Sequence, residues 1–358
     1  MKELITSVGP IPLPAFFPDA TYGAVRAASF EDVYRSGLLG LEMNTYHLMT
    51  KPGAKLIKAL GGLRGFTGYQ GAILTDSGGF QLYSLIRENP EYGEIRENEI
   101  VFRPDRREKM VYTPEKCIQA QFQLGSDILM ALDLCTAPDD PEEVQRRSVE
   151  LTIKWHARCK AEFEKLSRGR ASRPLLFGIV QGGADPALRR ECAERLEEIG
   201  FDGYGFGGWP LDAQGNLRRD VLQMAADAMP ASKLKYAMGL GKPEEIVELV
   251  GMGYRLFDCV IPTREARHNR LYAFLPGMAT REGVRAGGFY RHHYVLDEKY
   301  VRDSRPVEEG CDCILCRQHS RAYLQHLVKS GDPGAMRLLT AHNLRFYGRL
   351  MELLRDDA

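Results

Sequence analysis

Near the C-terminus the sequence reads Cys311-Asp-Cys313-Ile-Leu-Cys316, and His342 follows inside a helical stretch. Three thiols and one imidazole at this spacing form the ligand set of a closed tetrahedral zinc site. Four protein ligands leave no open position for a substrate. A metal held there is structural, and the chemistry must lie elsewhere in the chain. His319 and His326 compete for the fourth place, and a mere group of neighbouring thiols is the bland alternative. His342 is preferred because it sits in a long amphipathic stretch, Pro333 to Leu354, that needs tethering. His319 lies only three residues past Cys316, which strains closure around one ion.

The second set of reactive residues is acidic. Asp258 lies in the apolar run Leu256-Phe-Asp258-Cys-Val-Ile261, and Asp76 precedes Ser77-Gly-Gly-Phe80-Gln81. Asp133 stands two residues before Cys135, and glycine pairs follow Gln181 and occur at Gly207-Gly208. Carboxylates around one cleft, with no histidine or serine triad beside them, suit attack at a sugar anomeric carbon. One carboxylate adds to the carbon to form a covalent glycosyl-enzyme while another manages the leaving-group proton. The glycine turns let backbone approach a flat ligand, and Phe80 is available for stacking. A purine edge is read by such groups: Asp accepts from N–H, while Gln and backbone N–H donate to a carbonyl.

Those residues need elements that bring them together. Short apolar or β-branched runs occur at Pro14–Pro18, Gly40–Thr45, Ala72–Ser77, Asp127–Asp133, Leu175–Gln181, Gly203–Gly208, Lys235–Leu240 and Arg255–Val260. Most precede helical periodicity, as at Pro141–Leu166, Pro186–Ile199, Asn216–Ala228 and Pro243–Gly251. Continuous apolar strands alternating with helices predict a parallel sheet covered on both faces. Eight such units predict an α/β fold, a (β/α)8 TIM barrel spanning residues 1–275. Glu91–Thr113 reads as an inserted antiparallel hairpin, with alternation near Glu99–Phe102 and Lys109–Tyr112. Residues 276–358 form a zinc-binding, helical C-terminal subdomain packed on the barrel. Active sites of such barrels sit at the C-terminal strand ends, where Asp76, Asp133, Gln181, Gly207-Gly208 and Asp258 all fall. One strand-end carboxylate alone more simply caps the next helix or turn; five polar positions at one mouth favour a site.

The 358 residues contain 48 basic and 48 acidic side chains and 44% apolar residues. That suffices for one large domain with an appendage, and any polyanion must be met by a local patch. Arg264, Arg267 and Arg270 follow Asp258 closely, with Arg281, Arg285 and Arg291 soon after. Arginine runs are usually solvated faces, but nearness to Asp258 favours phosphate contacts. Cys117, Cys135, Cys159, Cys192 and Cys259 show no disulfide spacing, which suits a reducing cytoplasm. The proline-broken N-terminus predicts neither signal peptide nor membrane span.

The stretches Asn44-Thr-Tyr-His-Leu48, Thr75-Asp-Ser-Gly-Gly-Phe-Gln81, Gly178-Ile-Val-Gln-Gly-Gly183, Met238-Gly-Leu-Gly-Lys-Pro243 and Phe257-Asp-Cys-Val-Ile-Pro-Thr-Arg264 resemble motifs of the tRNA-guanine transglycosylases. The terminal cysteine cluster, Ser320-Arg-Ala-Tyr323 and Ala341-His-Asn343 resemble that family's zinc subdomain. The resemblance implies exchange of guanine at the tRNA anticodon wobble position for a 7-deazaguanine base, by default 7-aminomethyl-7-deazaguanine. It makes Asp258 the nucleophile, Asp76 the general acid/base, and assigns Asp133, Gln181 and Gly208 to the base. Met238 becomes one wall of the base sandwich, Cys135 lines the pocket, and Asn44 supports the nucleophile's surroundings. Arg264 and Arg267 match RNA-contacting positions, and Cys311, Cys313, Cys316 and His342 match the zinc ligands. A homodimer on one tRNA is also implied.

The sequence departs from the family at Gly208-Trp209-Pro210-Leu211-Asp212-Ala213, where a leucine and a later Gly-Glu pair are usual. Asp212 replaces that glutamate only if the loop shifts. The segment senses the incoming base's substituent, so queuine or a precursor rivals the default. Arg264-Glu-Ala-Arg267 is also closer to the queuine-using eukaryotic form. A paralogue acting on DNA and a non-catalytic RNA-binding subunit are the remaining alternatives; retained Asp76, Asp133, Gln181 and Asp258 argue against the latter.

Overall fold

A computed structural model describes residues 1–103, 109–212 and 214–355. Its centre is an eight-stranded, nearly closed parallel barrel. The first strand is Ala15–Pro18, the second Gly40–Met43, the third Ala72–Thr75 and the fourth Ile128–Met130. The fifth to eighth are Leu175–Val180, Gly203–Phe206, Leu234–Ala237 and Leu256–Cys259. Strands neighbour one another in chain order, and the first pairs with the eighth. A parallel bridge between Asp19 and Glu42 brings the first strand's end to the second.

Alternation decides which residues enter the barrel. Phe17, Leu74, Met130, Phe177, Ile179 and Tyr236 belong to one interior cluster, whereas Leu41, Met43 and Ile73 join the outer core against the helices. The interior is filled by unequal pairs. A methyl at Gly40 would lie 2.2 Å from the Phe17 ring, and one at Gly203 2.7 Å from that of Phe177. Glycine at these two positions lets the rings fill the barrel, each buried phenyl contributing about 1.5–3 kcal/mol. The hairpin Glu3–Thr6 with Gly9–Pro12 supplies Leu4 and Ile11 to the same cluster.

The outer helices start at residues that stop a strand. Asp185 caps Pro186–Ile199, accepting from the N–H groups of Ala187 and Leu188, and Pro186 occupies the first turn, where no donor is lost. Thr113 and Pro114 begin Pro114–Leu124 in the same way. The expected inserted hairpin is a three-stranded antiparallel sheet, Gly93–Ile95, Ile100–Phe102 and Met110–Tyr112, with residues 104–108 of the expected segment outside the described ones. After the barrel, Arg270–Phe274 pairs antiparallel with Tyr290–Tyr294. The long helix Pro333–Leu354 then packs on this pair, on the helix Ile261–Arg267 and on the first barrel strand. No helix among the described residues is long and apolar enough to cross a membrane.

Candidate functional site

The strand ends enclose a cavity of roughly 360 Å³. One half of its wall carries acids: Asp19, Glu42, Asp76 and Asp258, from the first, second, third and eighth strands. The opposite half carries Asp133, Cys135, Gly207, Gly208 and Met238. Phe80 and Trp209 stand at the rim, 43% and 41% exposed, with ring centroids 5.6 Å apart.

Asp258 points inward because it is level with Phe17 of the first strand, an interior residue. Its Oδ1 accepts from the Tyr236 hydroxyl at 2.6 Å and from the Gly239 N–H at 2.8 Å. Both bonds go to one oxygen, and Oδ2 has no hydrogen bond among the described residues. Burial raises the Asp258 carboxyl to about 6, against the lowering effect of the Gly239 and Tyr236 bonds. Asp76 accepts from the Thr45 N–H and from Asn44 Nδ2, each at 2.7 Å. Burial raises it to about 7, with Asp258 adding repulsion and the Thr45, Gly78 and Gln81 bonds opposing the rise. Two acids on one cavity wall, both raised above the usual carboxylate range, form the kind of setting that acid–base chemistry uses. Asn44, expected around the nucleophile, lines the same cavity as Asp258; its amide donates to Asp76 and its Oδ1 accepts from the His47 N–H.

Across the cavity, Gln181 Nε2 donates to Asp133 Oδ2 at 2.6 Å. Gln181 is fully buried, and its Oε1 has no partner among the described residues. It therefore orients Asp133, which lines the cavity and is raised to about 6 by burial. Gly208 has φ +97°, a left-handed conformation that a side chain would strain. The two glycine loops are joined by buried Arg189, which donates to the carbonyls of Val180, Gly183 and Gly207 at 2.8–3.0 Å. Cys135 lines the cavity as a neutral thiol, pushed up to about 12 by burial and then by Asp133. Asp212 does not replace the family's glutamate at the cavity. Its carboxylate accepts from the N–H groups of Gln214 and Asn216, and Ala213 lies outside the described residues.

The helix Ile261–Arg267 begins two residues after the eighth strand and carries Arg264 and Arg267 beside the site. The Arg264 side chain is 51% exposed. Burial, then the Arg26 charge, lowers the Arg267 guanidinium, so Arg26 joins this basic corner. Arg270 is ion-paired with Glu265, and Arg291 lines a separate cleft with Arg305 and Arg349. The arginine run is not one patch.

Cys311, Cys313, Cys316 and His342 come together with all ligand atoms within 4.8 Å of one another. Neither His319 nor His326 joins them. His342 Nδ1 lies 3.9, 3.3 and 3.3 Å from the three sulfurs. Tetrahedral zinc with ordinary Zn–S and Zn–N bonds puts sulfur and nitrogen about 3.6 Å apart, so the set fits. His342 Nε2 is 2.7 Å from the Tyr272 carbonyl, a contact that places the proton on Nε2 and frees Nδ1 for a metal. The next residue, Asn343, donates to the carbonyls of Pro262 and Arg270 and accepts from the Tyr272 N–H. It fastens this helix to the segment that follows Asp258.

Glu42, Asp19, Tyr236, Arg189 and Arg26 were not foreseen from the sequence. For Glu42 the signal was present: a lone carboxylate between Leu41 and Met43 in an apolar strand, the pattern that marks Asp258.

A family model described as queuine tRNA-ribosyltransferase matches residues 1–357. A protein of that name from Thioalkalivibrio sulfidiphilus is 42% identical over 348 residues, covering 97% of this chain and 87% of the relative. Namesakes from Pseudoalteromonas translucida and a Thermoanaerobacter species are 41% and 39% identical, each covering 99% of this chain and 88% of the relative.

Proposed function

Because this chain belongs to the queuine tRNA-ribosyltransferase family of pentosyltransferases, we propose that it exchanges guanine at the wobble position of a tRNA for a 7-deazaguanine base, with 7-aminomethyl-7-deazaguanine as the default. The observation that carries this reading is the pair Asp76 and Asp258, half-buried and lining one cavity opposite Asp133 and Gly208. A flat base held by Asp133 and Gly208, against Met238, directs its glycosidic bond toward the acidic wall. Asp258 Oδ2 attacks C1′, and the bond from C1′ to the base nitrogen breaks. Asp76 gives the departing guanine its proton. It then takes a proton from the incoming base, whose nitrogen displaces Asp258 and restores the carboxylate.

In this scheme Arg264 and Arg267 hold RNA phosphates while the base enters the cavity. Zinc at Cys311, Cys313, Cys316 and His342 would contribute fold stability and no reaction chemistry. The assembly is a cytoplasmic homodimer on one tRNA. The test is incorporation of labelled guanine into tRNA and into DNA, followed by a chase with 7-deazaguanines. Labelled tRNA alone is the expected product, and no labelled nucleic acid would sink the proposal.

The acid pair sets a pH profile. Asp258 must be ionised, so kcat/KM falls as pH drops below about 6; Asp76 must be protonated, so it falls again above about 7. The Tyr236 bond lowers the Asp258 pKa, so Tyr236→Phe should move the acid limb upward. A limb that stays in place would show that Asp258 does not govern it.

Trp209 bears on the base inserted. Half-exposed beside Phe80 at the rim, it borders the space that a substituent on the base would enter, where queuine is the rival to the default. Trp209→Leu should change relative kcat/KM among 7-deazaguanines by about tenfold, the scale of a pocket apolar contact, and guanine release by much less. Equal changes in both would remove Trp209 as a selectivity element.

A further inference from the structure

Glu42 is only 8% exposed and lines the cavity. It is level with Leu74, an interior residue of the third strand, so its side chain points into the top of the barrel. Asp19 accepts from Thr21, Asp76 from Asn44 and Thr45, and Asp258 from Tyr236 and Gly239. The Glu42 carboxyl has no hydrogen bond or ion pair among the described residues. Nine-tenths buried and unpartnered, it carries a desolvation cost that a ligand can relieve.

Its position identifies the sector of the ligand. The second strand adjoins the third, which leads to Asp76, and the Asp19–Glu42 bridge joins it to the first, which pairs with the eighth and Asp258. Gly208 follows the sixth strand, which in this ring of eight lies opposite the second. A base anchored at Gly208 and attacked by Asp258 therefore puts its sugar in the sector of Glu42. Within a chain, the 3′ and 5′ oxygens of that sugar are phosphate esters and carry no hydroxyl proton. Its one free hydroxyl is the 2′-OH.

We propose that Glu42 reads this sugar, its carboxyl hydrogen-bonding the 2′-hydroxyl of the attacked ribose and so selecting RNA over the matching deoxynucleotide. The inference rests on the function proposed above. Burial, then Asp76, Asp258 and Asp19, holds Glu42 well above the usual carboxylate range. The carboxyl can meet the hydroxyl either way, accepting its proton when ionised or donating to its oxygen when protonated.

The experiment compares labelled-guanine exchange on an anticodon stem-loop RNA and on the same RNA with one 2′-deoxyguanosine at the exchanged position. The wild-type chain should prefer the all-ribose RNA by at least about tenfold in kcat/KM, the scale of one lost hydrogen bond to a buried group. Glu42→Ala should lower the all-ribose value about tenfold and the deoxy value less than about twofold, and Glu42→Gln should restore most of the loss. Should the alanine variant fail to fold, Glu42→Leu fills similar volume without hydrogen-bonding and carries the same comparison. Equal wild-type use of both RNAs overturns the inference, as does a variant that loses equally on both. No wild-type exchange on the all-ribose RNA overturns the proposed function itself, and this inference with it.

Discussion

Asp258→Ala is expected to abolish base exchange, by roughly ten-thousandfold or more in kcat, because the covalent step loses its nucleophile. RNA affinity should stay within about tenfold, since the phosphate contacts assigned to Arg264 and Arg267 are untouched. The side chain faces the cavity, so truncation opens no core void, and the melting temperature should move by no more than about 3 °C. Single-turnover exchange, filter binding and a thermal melt separate these effects. A denaturing gel adds a fourth readout: wild-type enzyme and RNA form a covalent band that the variant does not. Full exchange by the alanine variant would sink the mechanism, and a large loss of RNA binding would mean that Asp258 holds substrate rather than attacking it.

Cys313→Ser should reduce zinc content and stability together. Cys313 is one of the four clustered groups that could hold the metal, and it also accepts from the Cys316 N–H at the start of its short helix. Ligand binding at such a site is folding free energy, and losing one thiolate should cost about 3–5 kcal/mol, or roughly 5–10 °C in Tm. The effect should reach the active site, because His342 and Asn343 share a turn of helix and Asn343 grips Pro262, just beyond the eighth strand. Metal analysis and a melt, with and without chelator, check this. Unchanged zinc stoichiometry would rule out the ligand set.

The barrel was legible because each strand is a short apolar run closed by a polar residue or glycine turn. The same rule placed Asp76, Asp133, Gly208 and Asp258 at one mouth. The terminal cysteines were legible because their spacing is local. Glu42 was overlooked although it has the same setting as Asp258; no turn motif followed it to draw attention. Arg189 sits in a helix rich in charge, Pro186–Ile199, and helical periodicity alone does not reveal that it turns inward to three carbonyls. The pairing of Arg270–Phe274 with Tyr290–Tyr294 was hidden because a helix, Arg281–Ala286, lies between the strands. Those arginines therefore read as one patch, whereas Arg270 is committed to Glu265.

The union of first and eighth strands has a consequence for synthesis on the ribosome. Ala15–Pro18 emerges early, yet its pairing partner is Leu256–Cys259. At a translation rate of about 5–20 residues per second, the first strand waits on the order of 10–50 s for that partner. It meets the second strand through the Asp19–Glu42 bridge and the Ala20 N–H to Glu42 carbonyl bond beyond its end, so the nascent sheet lacks its closing partner along the other edge. Any chain released before Cys259 lacks both Asp258 and the strand that shuts the ring. Asp258 thus joins Asp19, Glu42 and Asp76 only when the barrel closes, and the repulsion it adds is borne by a nearly complete fold.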